Sequence, residues 1–406
     1  MLTHCSRAIL LPAFVLLVFS WGAWAPRPCL ATHGAASESY QTIVADTAGK
    51  PAGAEAFDRA MRKYMKERHI GAGTLAVSRN GKLLLARGYG FADAARKRRV
   101  QPDDPLRIAS VTKPITAAAI RTLVRQRKLS LDTKVFPLLG LKPPAGRKAD
   151  PRLKDITVRH LLEHRGGWDL KKTFDPMFRP LEIAAALGRP GPAGARDVVR
   201  YMMGQPLQFK PGARESYSNF GYCVLGRVIE KVTGQSYVAY VRQKILAPLG
   251  VRSVELGRSL PRDRNRREPL YVDPGKGRNL LKPQSKELVP APDGTFYLEA
   301  MDSHGGLIAS SRDLLRFADA YWLSGEPRKG NGETWTFFGS LPGTHAMVMQ
   351  RPDGVNVAAL FNQRTDPSGL DYDKIEDMMG QAADRLEGRA FAAYLSLAFI
   401  MASANR

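Results

Sequence analysis

Strand-forming segments lie near both ends of this 406-residue chain, and that placement restricts the folds it can adopt. Near the amino end, TLAVSRNGKLLLARGYG alternates apolar and polar residues around Asn80-Gly81. Because both turn residues tolerate a positive φ, this segment predicts a β-hairpin. Near the carboxyl end, TWTFFGS, THAMVMQ and VNVAALFN predict three further strands, and RPDG joins the last two.

Helix-forming segments occupy the middle of the chain and flank the predicted strands. Each of these segments has apolar residues at helical spacing. The segments are about Glu55 to Arg68, the stretch that follows Ser110, ITVRHLLEH, YCVLGRVIEKV with its end at Gly234, and about Tyr372 to Leu386. Strands at both ends with helices between predict an α+β fold. We expect one antiparallel sheet built from both chain ends, flanked by helices, with a helical lobe inserted at about 107–295.

Residues 1–31 have the pattern of a secretory leader. Arg7 precedes an almost unbroken apolar run from Ala8, and small-residue positions follow at 23–25. The pattern predicts a signal peptide, with an uncleaved anchor as the alternative because residues 8–25 could nearly span a bilayer. We therefore expect an exported protein, periplasmic or secreted. A flexible linker is predicted at 32–53, a folded domain at 54–388, and an apolar tail packed on the domain at 389–406.

Cys223 would be the only cysteine left once such a leader is removed, since Cys5 and Cys29 lie within it. An exported chain with one cysteine forms no internal disulfide, so its apolar core must stabilise it without covalent help. The composition, 44% hydrophobic and 24% charged, is that of an ordinary globular protein. Cys223 lies in the apolar run GYCVLGRVIE and is expected to pack as a small hydrophobic residue.

The chain carries a formal net charge of +23, with arginine clusters at 95–100 and 262–269. Such a surface attracts anionic cell-wall polymers or a membrane surface, and solvated loops without a specific partner are the alternative. Nucleic acid is disfavoured as a partner because export separates the two, and because no aromatic side chains alternate with the basic runs.

The stretch LRIASVTKPITAAAI, at 106–120, places a hydroxyl at Ser110 and an amine at Lys113 at the mouth of an apolar helix. Positions i and i+3 share a helix face, about 5–6 Å apart at Cβ. The first helical turn also offers unpaired N–H groups and a positive dipole end, which suit an oxyanion. The two residues are therefore either an ordinary helix start beside a solvated lysine, or a nucleophile with a partner that takes its proton.

The only Tyr-x-Asn of the chain, Tyr217-Ser218-Asn219, lies in a predicted loop ahead of a helix. A phenol has a pKa near 10 in water and becomes a usable base where a neighbouring ammonium stabilises the phenolate. Asn219 could hydrogen-bond a substrate carbonyl. A packed ring with a satisfied hydroxyl is the alternative interpretation of Tyr217.

The order of five segments resembles that of the penicillin-recognising serine hydrolases, over about Glu55 to Leu386. The segments are IASVTKPITA, LSLDTKV, ITVRHLLEHRGG, PGARESYSNFGYCVLGRVIEKVTGQSY with ILAPLGV, and GGLIASSRDLLRFA. Most similar are class C β-lactamases and their relatives, the DD-peptidases, D-aminopeptidases and family VIII carboxylesterases. The resemblance implies a β-lactamase-like fold, serine hydrolase activity without a cofactor or metal, and a small ester, amide or peptide substrate.

The resemblance also implies a role for each candidate residue. Ser110 would be the nucleophile that forms an acyl-enzyme, and Lys113 would hold its proton network. Tyr217 would be the general base for acylation and for activating the deacylating water, while Asn219 would position the substrate. The oxyanion hole would use the N–H of Ser110 and that of Ser340 on an edge strand.

Phe337-Phe338-Gly339 departs from the third motif of the family, which is a lysine or histidine, a small residue and a glycine. Gly339 keeps the close backbone approach that lets the strand reach an acyl group. The cation and small hydroxyl that favour a β-lactam or peptide carboxylate are gone, and some family esterases carry an aromatic at the first position. We therefore predict ester or amide hydrolysis rather than efficient β-lactamase activity, with Phe337 and Phe338 lining the pocket.

His304 and Trp168 are further candidate pocket residues. His304, in MDSHGGLIASS, precedes a helix near the expected cleft, and a loop histidine with satisfied hydrogen bonds is the alternative. Trp168 follows a double glycine, and a core aromatic is an equally good interpretation. His160 and His164 have the spacing of zinc ligands but lack the acidic and histidine pattern that accompanies it, so no metal site is predicted.

Two functions of different classes follow from these patterns. The first is an exported serine hydrolase resembling carboxylesterases, with β-lactamase or DD-peptidase as alternative activities of the same family. The second is a non-catalytic relative that binds cell-wall or another anionic polymer, for which Arg264, Arg266 and Arg267 are the candidate contacts. The four residues Ser110, Lys113, Tyr217 and Asn219 favour the first, because a pure binder has no need of them.

Overall fold

The computed structural model describes residues 42–44, 53–95, 97–330, 332–364 and 373–386, so the predicted leader and apolar tail lie outside the described residues. The strands of the described part are β1 Thr42–Val44, β2 Ala72–Arg79, β3 Lys82–Gly90, β4 Leu106–Arg107, β5 Glu255–Leu256, β6 Lys276–Arg278, β7 Leu288–Pro290, β8 Leu307–Ala309, β9 Trp335–Leu341, β10 Thr344–Gln350 and β11 Val355–Phe361. Its helices are α1 Ala54–Glu67, α2 Thr112–Arg125, α3 Val135–Leu139, α4 Val158–Leu162, α5 Pro180–Ala186, α6 Ala195–Met203, α7 Asn219–Thr233, α8 Tyr237–Val241, α9 Ser311–Ala320 and α10 373–386. No helix among these residues is both apolar enough and long enough to cross a membrane.

The β2–β3 hairpin forms at the predicted turn. Asn80 and Gly81 have φ values of 50° and 75°, the left-handed conformation that a two-residue turn between twisted strands requires. The two strands pair antiparallel, from Ala72 opposite Gly90 to Arg79 opposite Lys82, with one irregularity at Val77/Ser78. The prediction from the sequence pattern is confirmed.

The main sheet joins the two ends of the chain, as predicted. Its strand order is β1-β3-β2-β11-β10-β9, and all its pairs are antiparallel. The junction is the β2–β11 pair, in which Arg79 lies opposite Val355 and Gly73 opposite Phe361. All central strand positions of β10 and β11 are buried, because helices cover both faces of the sheet.

Alternate residues of the sheet pack into two separate cores. Met347, Val357 and Phe361 face one side, where they pack with apolar residues of α1 and α10. Ala346, Val348 and Leu360 face the other side, where they join a larger core that includes α2, α7 and α9. The period-two alternation of a strand produces this division, and it fixes which residues of β9 can face a site on the α2 side.

The helical lobe occupies the long connection between β4 and β8. Helices α2 to α8 all lie between 112 and 241, and the following stretch is mostly loop with the short strands β5, β6 and β7. Helix α7 ends at the predicted stop, where Gly234 has a φ of 68°. The lobe boundaries of 107–295 stay a prediction. The last of the helices α2 to α8 ends at Val241, well before residue 295.

The linker predicted at 32–53 contains one short strand. Thr42–Val44 pairs antiparallel with β3, with Thr42 opposite Tyr89 and Val44 opposite Arg87. Two physical reasons account for this difference. The outer edge of β3 offers unpaired backbone groups, and the β-branched residues Thr, Ile and Val favour the extended conformation.

The hairpin turn gives a prediction for stability. Gly81→Ala should lower the free energy of unfolding by about 1 kcal/mol, because an L side chain is strained at a φ of 75° even though no atom lies within 4 Å of the added methyl. Gly71→Ala is the matched control, since its methyl also meets no atom within 4 Å and its φ is not positive. Urea denaturation of both variants tests this; equal effects would show that the turn conformation is not the cause.

Candidate active site

Ser110 lies in a single 3₁₀ turn, Ala109–Val111, that leads directly into α2. Ala109 has a φ of 45°, an unusual conformation for a residue with a side chain, so the backbone is strained one residue before the hydroxyl. A hydrogen bond to β8 fixes the residue before this turn: the Ile108 N–H donates to the Leu307 carbonyl at 3.0 Å. Lys113 and Pro114 occupy the first turn of α2, where a proline is tolerated.

Lys113 is fully buried, and its ammonium group has three acceptors. Its Nζ donates to Ser110 Oγ at 3.0 Å, to Asn219 Oδ1 at 2.8 Å and to the His304 carbonyl at 2.8 Å. Burial lowers the pKa of Lys113 to about 7, with the nearby charge of Asp175 acting in the opposite direction. At neutral pH the amine is therefore close to balance between its charged and neutral forms, which suits a group that gives and takes protons.

Tyr217 completes the contact that the sequence predicted between distant segments. It directly precedes Ser218, the residue that caps α7 by accepting from the Gly221 N–H at 3.0 Å. The phenol oxygen lies 2.7 Å from Ser110 Oγ, and Lys113 Nζ lies 4.8 Å from the centre of the Tyr217 ring. The hydroxyl, the amine and the phenol thus form one hydrogen-bonded group.

His164 supports Tyr217 and was not predicted to do so. Its ring centre lies 4.7 Å from that of Tyr217, its Nδ1 accepts from the Ser218 N–H at 3.2 Å, and its carbonyl accepts from the Ser216 N–H at 2.8 Å. Burial, together with the charge of Lys113, lowers the pKa of His164 to about 3, so the ring is neutral. No pattern in the sequence marks His164 as a residue that contacts Tyr217, because the contact depends on the position of the loop before α7.

The role of Asn219 in positioning substrate stays a prediction, and the structure places its side-chain amide beside Lys113. Its Oδ1 accepts from Lys113, and its Nδ2 donates to Asp175 Oδ2 at 2.6 Å, so both ends of the amide are engaged within the protein. Asp175 is a residue that the sequence analysis missed. It caps the short turn Pro176–Phe178, where the Met177 N–H donates to Oδ1 at 3.0 Å. An aspartate before a proline indicates such a cap, but nothing in the sequence connects it to Asn219.

Gly339 brings the edge strand β9 against the Ser110 turn. A methyl group on Gly339 would lie 2.1 Å from the Ile108 carbonyl oxygen and 3.0 Å from the Ser110 nitrogen. The close approach expected from the sequence is therefore present. Ser340 follows on the same strand, opposite His345 of β10, and its role as a second N–H donor to an oxyanion stays a prediction.

Phe337 and Phe338 lie on opposite faces of the sheet, so they cannot both line a pocket at Ser110. Phe337 packs against the larger core on the α2 side, and Phe338 packs against the core beneath α1 and α10. The prediction for Phe338 is wrong for a simple reason: neighbouring side chains of a strand point in opposite directions.

Trp168 and His304 do not line an open pocket. Trp168 is buried and packs edge to face on Phe220, with ring centres 4.7 Å apart, so it is the core aromatic that was the alternative interpretation. The His304 ring is also buried, and burial holds its pKa well below the ordinary value. Its Nε2 has no hydrogen-bond partner among the described atoms, so the ring is not the satisfied loop histidine of the alternative; the contribution of His304 to the site is its backbone carbonyl.

His160 and His164 point into different surroundings. His160 Nδ1 accepts from the Thr157 N–H at 3.3 Å and helps to cap α4, whereas His164 packs on Tyr217. Within the described residues, no group of three or more His, Cys, Asp or Glu side chains is arranged to hold a metal ion. Cys223 is buried in the core as predicted, and burial raises the pKa of its thiol to about 12.

The arginine cluster at 262–269 is less available to a polymer than its sequence suggests. The Arg264 side chain is only 7% exposed and pairs with Asp293 at 2.6 Å, so it is part of the fold rather than of a binding surface. Arg267 is exposed but lies 3.4 Å from the buried carboxylate of Asp104, which also pairs with Arg98 at 2.7 Å. Of the candidate polymer contacts, Arg264 is therefore engaged within the fold and Arg267 is partly neutralised, while Arg266 is exposed.

Comparisons with known proteins agree on one family and one fold. The sequence model described as Beta-lactamase matches residues 57–377 of this chain. The chain is 33% identical to Esterase EstB of Burkholderia gladioli over 279 residues, which are 65% of this chain and 68% of that protein.

Two solved structures are similar in fold. The first is the D-amino acid amidase from Ochrobactrum anthropi SV3 complexed with L-phenylalanine amide, with a TM-score of 0.63 and 18% identity over 83% of this chain and 99% of that chain. The second is EstCE1, a hydrolase with promiscuous acyltransferase activity, with a TM-score of 0.59 and 20% identity over 80% of this chain and 98% of that chain. At these identities the two structures show a shared fold and no more.

The contact between Gly339 and the Ser110 turn gives a prediction for reactivity. Gly339→Ala should slow the reaction of Ser110 with a fluorophosphonate by about 10²-fold or more, because the methyl group must push β9 away from the turn. The measurement is intact mass against time.

Gly305→Ala is the matched control beside the same turn, since its methyl would lie an ordinary 3.8 Å from the carbonyl carbon of Ala109. The control should react at the wild-type rate. An unchanged rate for Gly339→Ala would mean that β9 has no part in the site.

Proposed function

The chain belongs to the beta-lactamase family of serine hydrolases, and we propose that it hydrolyses small ester or amide substrates through an acyl-enzyme formed on Ser110. One observation carries the proposal. Ser110 Oγ lies 2.7 Å from the Tyr217 hydroxyl and 3.0 Å from Lys113 Nζ, and the Lys113 side chain is fully buried. Such a hydroxyl can lose its proton into the pair at the moment that it attacks a carbonyl.

The reaction divides into two steps that use the same groups. In the first, Ser110 Oγ bonds to the carbonyl carbon, its proton enters the Lys113–Tyr217 pair, and the pair returns a proton to the departing alcohol or amine. In the second, Tyr217 takes a proton from water, the water oxygen attacks the acyl carbon, and Ser110 regains its proton as the acid leaves.

The negative charge that develops on the carbonyl oxygen needs donors. The Ser110 N–H lies in the 3₁₀ turn just before α2, beside Gly339, and the neighbouring Ser340 offers the second candidate N–H. Donors fixed in place before the reaction cost no reorganisation during it, and loss of one typically lowers the rate about 10²–10³-fold.

An uncharged acyl group is the substrate feature that the site favours. Phe337 occupies the β9 position where penicillin-recognising relatives carry a lysine or histidine, so a substrate carboxylate finds no cation there. The similar proteins named as an esterase, a hydrolase and a D-amino acid amidase support ester and amide bonds as the class. β-Lactamase or DD-peptidase activity is the alternative within the same chemistry.

Export, and attraction to an anionic cell-wall or membrane surface, are also proposals. Residues 1–31 support the first, and the net charge of +23 supports the second. The non-catalytic polymer binder is the weaker hypothesis, because Arg264 is buried in an ion pair and the Ser110 group is complete.

A substrate panel tests the proposed reaction. Wild-type protein should turn over short-chain p-nitrophenyl esters faster than nitrocefin or D-alanyl peptides, and a fluorophosphonate should add its mass at Ser110. Ser110→Ala should lose about 10³-fold or more of the turnover and all of the adduct. Faster turnover of nitrocefin than of the esters would reverse the substrate assignment. Folded wild-type protein that gives no adduct with any acylating reagent would contradict the acyl-enzyme mechanism.

Phe337 gives a prediction about specificity. Phe337→Lys should raise nitrocefin turnover relative to ester turnover, because an ammonium on this face of β9 can bind the carboxylate. Trp335→Lys is the control on the same face, two residues and about 7 Å further along the strand. The ratio of kcat/KM for the two substrates is the measurement, and an equal ratio in both variants would mean that position 337 does not read substrate charge.

A further inference from the structure

We propose that Asp175 is a positioning residue that stabilises the ammonium form of Lys113 through the side-chain amide of Asn219, and so sets the pH range in which Ser110 reacts. The inference rests on the proposed function, since it concerns the proton state of the same site. It adds a residue that acts through Asn219 and not on Ser110 itself.

The hydrogen bonds form a relay of fixed direction. Lys113 Nζ donates to Asn219 Oδ1 at 2.8 Å, and Asn219 Nδ2 donates to Asp175 Oδ2 at 2.6 Å. An ammonium only donates and a carboxylate only accepts, so the amide between them has one satisfactory orientation. Each bond polarises the other, which lets the carboxylate act on the ammonium across the amide.

The carboxylate is buried without a cation in direct contact among the described residues. Asp175 is 8% exposed, and its two oxygens are taken by Asn219 and by the Met177 N–H. Burial raises the pKa of Asp175 above its ordinary value, although both hydrogen bonds and the charge of Lys113 act in the opposite direction. A neutral residue could cap the turn at Pro176–Phe178 equally well, so the cap alone does not explain a buried charge.

Within the part of the chain that the structure describes, the other titratable groups that face the Lys113 ammonium are aromatic. They are Tyr217, Tyr222, His164 and His304. Both histidines have a pKa far below neutrality because they are buried, and burial raises the pKa of Tyr222 above its ordinary value. Asp175 is therefore the counter-charge for Lys113 within this set, and its charge opposes the lowering of the lysine pKa by burial.

The sign of the effect does not depend on which form of Lys113 reacts. Asp175→Asn removes the negative charge, so the pKa of Lys113 falls from about 7 to a lower value. If the neutral amine is the reactive form, the acidic limb of the pH–rate profile moves to lower pH. If the ammonium is required, the basic limb moves to lower pH. In either case one limb moves downward, by about one pH unit.

Two further variants separate this effect from a loss of structure. The exchange Asp175→Asn with Asn219→Asp keeps the charge of the pair and places it directly beside Nζ, so the limb should return to the wild-type pH or move above it. Asp169→Asn is the matched control. Asp169 lies in the same loop and is buried, but its carboxylate pairs with Arg214 at 2.5 Å, so neither limb should move.

The experiment measures the second-order rate of fluorophosphonate addition to Ser110 across pH 5–10, with p-nitrophenyl ester kcat/KM beside it. A downward limb shift in Asp175→Asn, its reversal in the exchange variant and no shift in Asp169→Asn support the proposal. A rate that falls equally at every pH, with both limbs in place, would show that Asp175 only holds the loop and would overturn it.

Folding and reactivity of the parent protein are the remaining controls. If thermal melting shows that Asp175→Asn does not fold, the exchange variant by itself tests the proposal. A limb of its pH–rate profile at lower pH than in the wild type would contradict the proposal. Wild-type protein that forms no adduct would overturn the hydrolase function itself. That outcome differs from an adduct that forms with the same pH profile in the wild type and in Asp175→Asn, which would overturn only the role of Asp175.

Discussion

The structure of the site depends on one buried cation. Lys113 has no exposed surface, and a charge in that setting is tolerated only where all its donors find acceptors. Its three acceptors come from three distant parts of the chain: Ser110 in the turn before α2, Asn219 at the start of α7 and the carbonyl of His304 before β8. Satisfying the ammonium therefore holds the nucleophile, the tyrosine loop and the 302–306 segment together.

The packing around α2 serves the same requirement. One helical turn beyond Lys113, Thr116 Oγ1 donates to the Ser303 carbonyl at 2.7 Å and lies 2.6 Å from the Tyr237 hydroxyl, which keeps the His304 carbonyl in place. A methyl group on Gly226 would lie 2.3 Å from Ser303 Oγ, so the glycine in α7 permits this close approach. The burial that stabilises the lobe also lowers the pKa of Lys113 to about 7. The same packing therefore contributes to the stability of the lobe and to the proton exchange of Lys113.

Local patterns were sufficient wherever a contact depends on neighbours in sequence. The Asn80-Gly81 turn, the three C-terminal strands and the end of α7 at Gly234 follow from backbone conformation and from period-two or helical spacing. Apart from the short strand within the predicted linker, the wrong predictions concern the direction or the surroundings of a side chain. Phe338 turned to the opposite face of β9, and Trp168 packed into the core. Asp175 was missed because its partner lies 44 residues away.

The sequence by itself determined the type of sheet, the order of its elements and the identities of Ser110, Lys113 and Tyr217 as candidates, because turns, helix starts and rare residue pairs are local signals. The tertiary structure alone decided that the tyrosine oxygen lies 2.7 Å from the serine, that Asn219 faces a lysine and an aspartate, and that Arg264 is buried. The physical reason is that proton affinity and charge depend on burial and on partners brought together by the fold, and neither is encoded in any short stretch of chain.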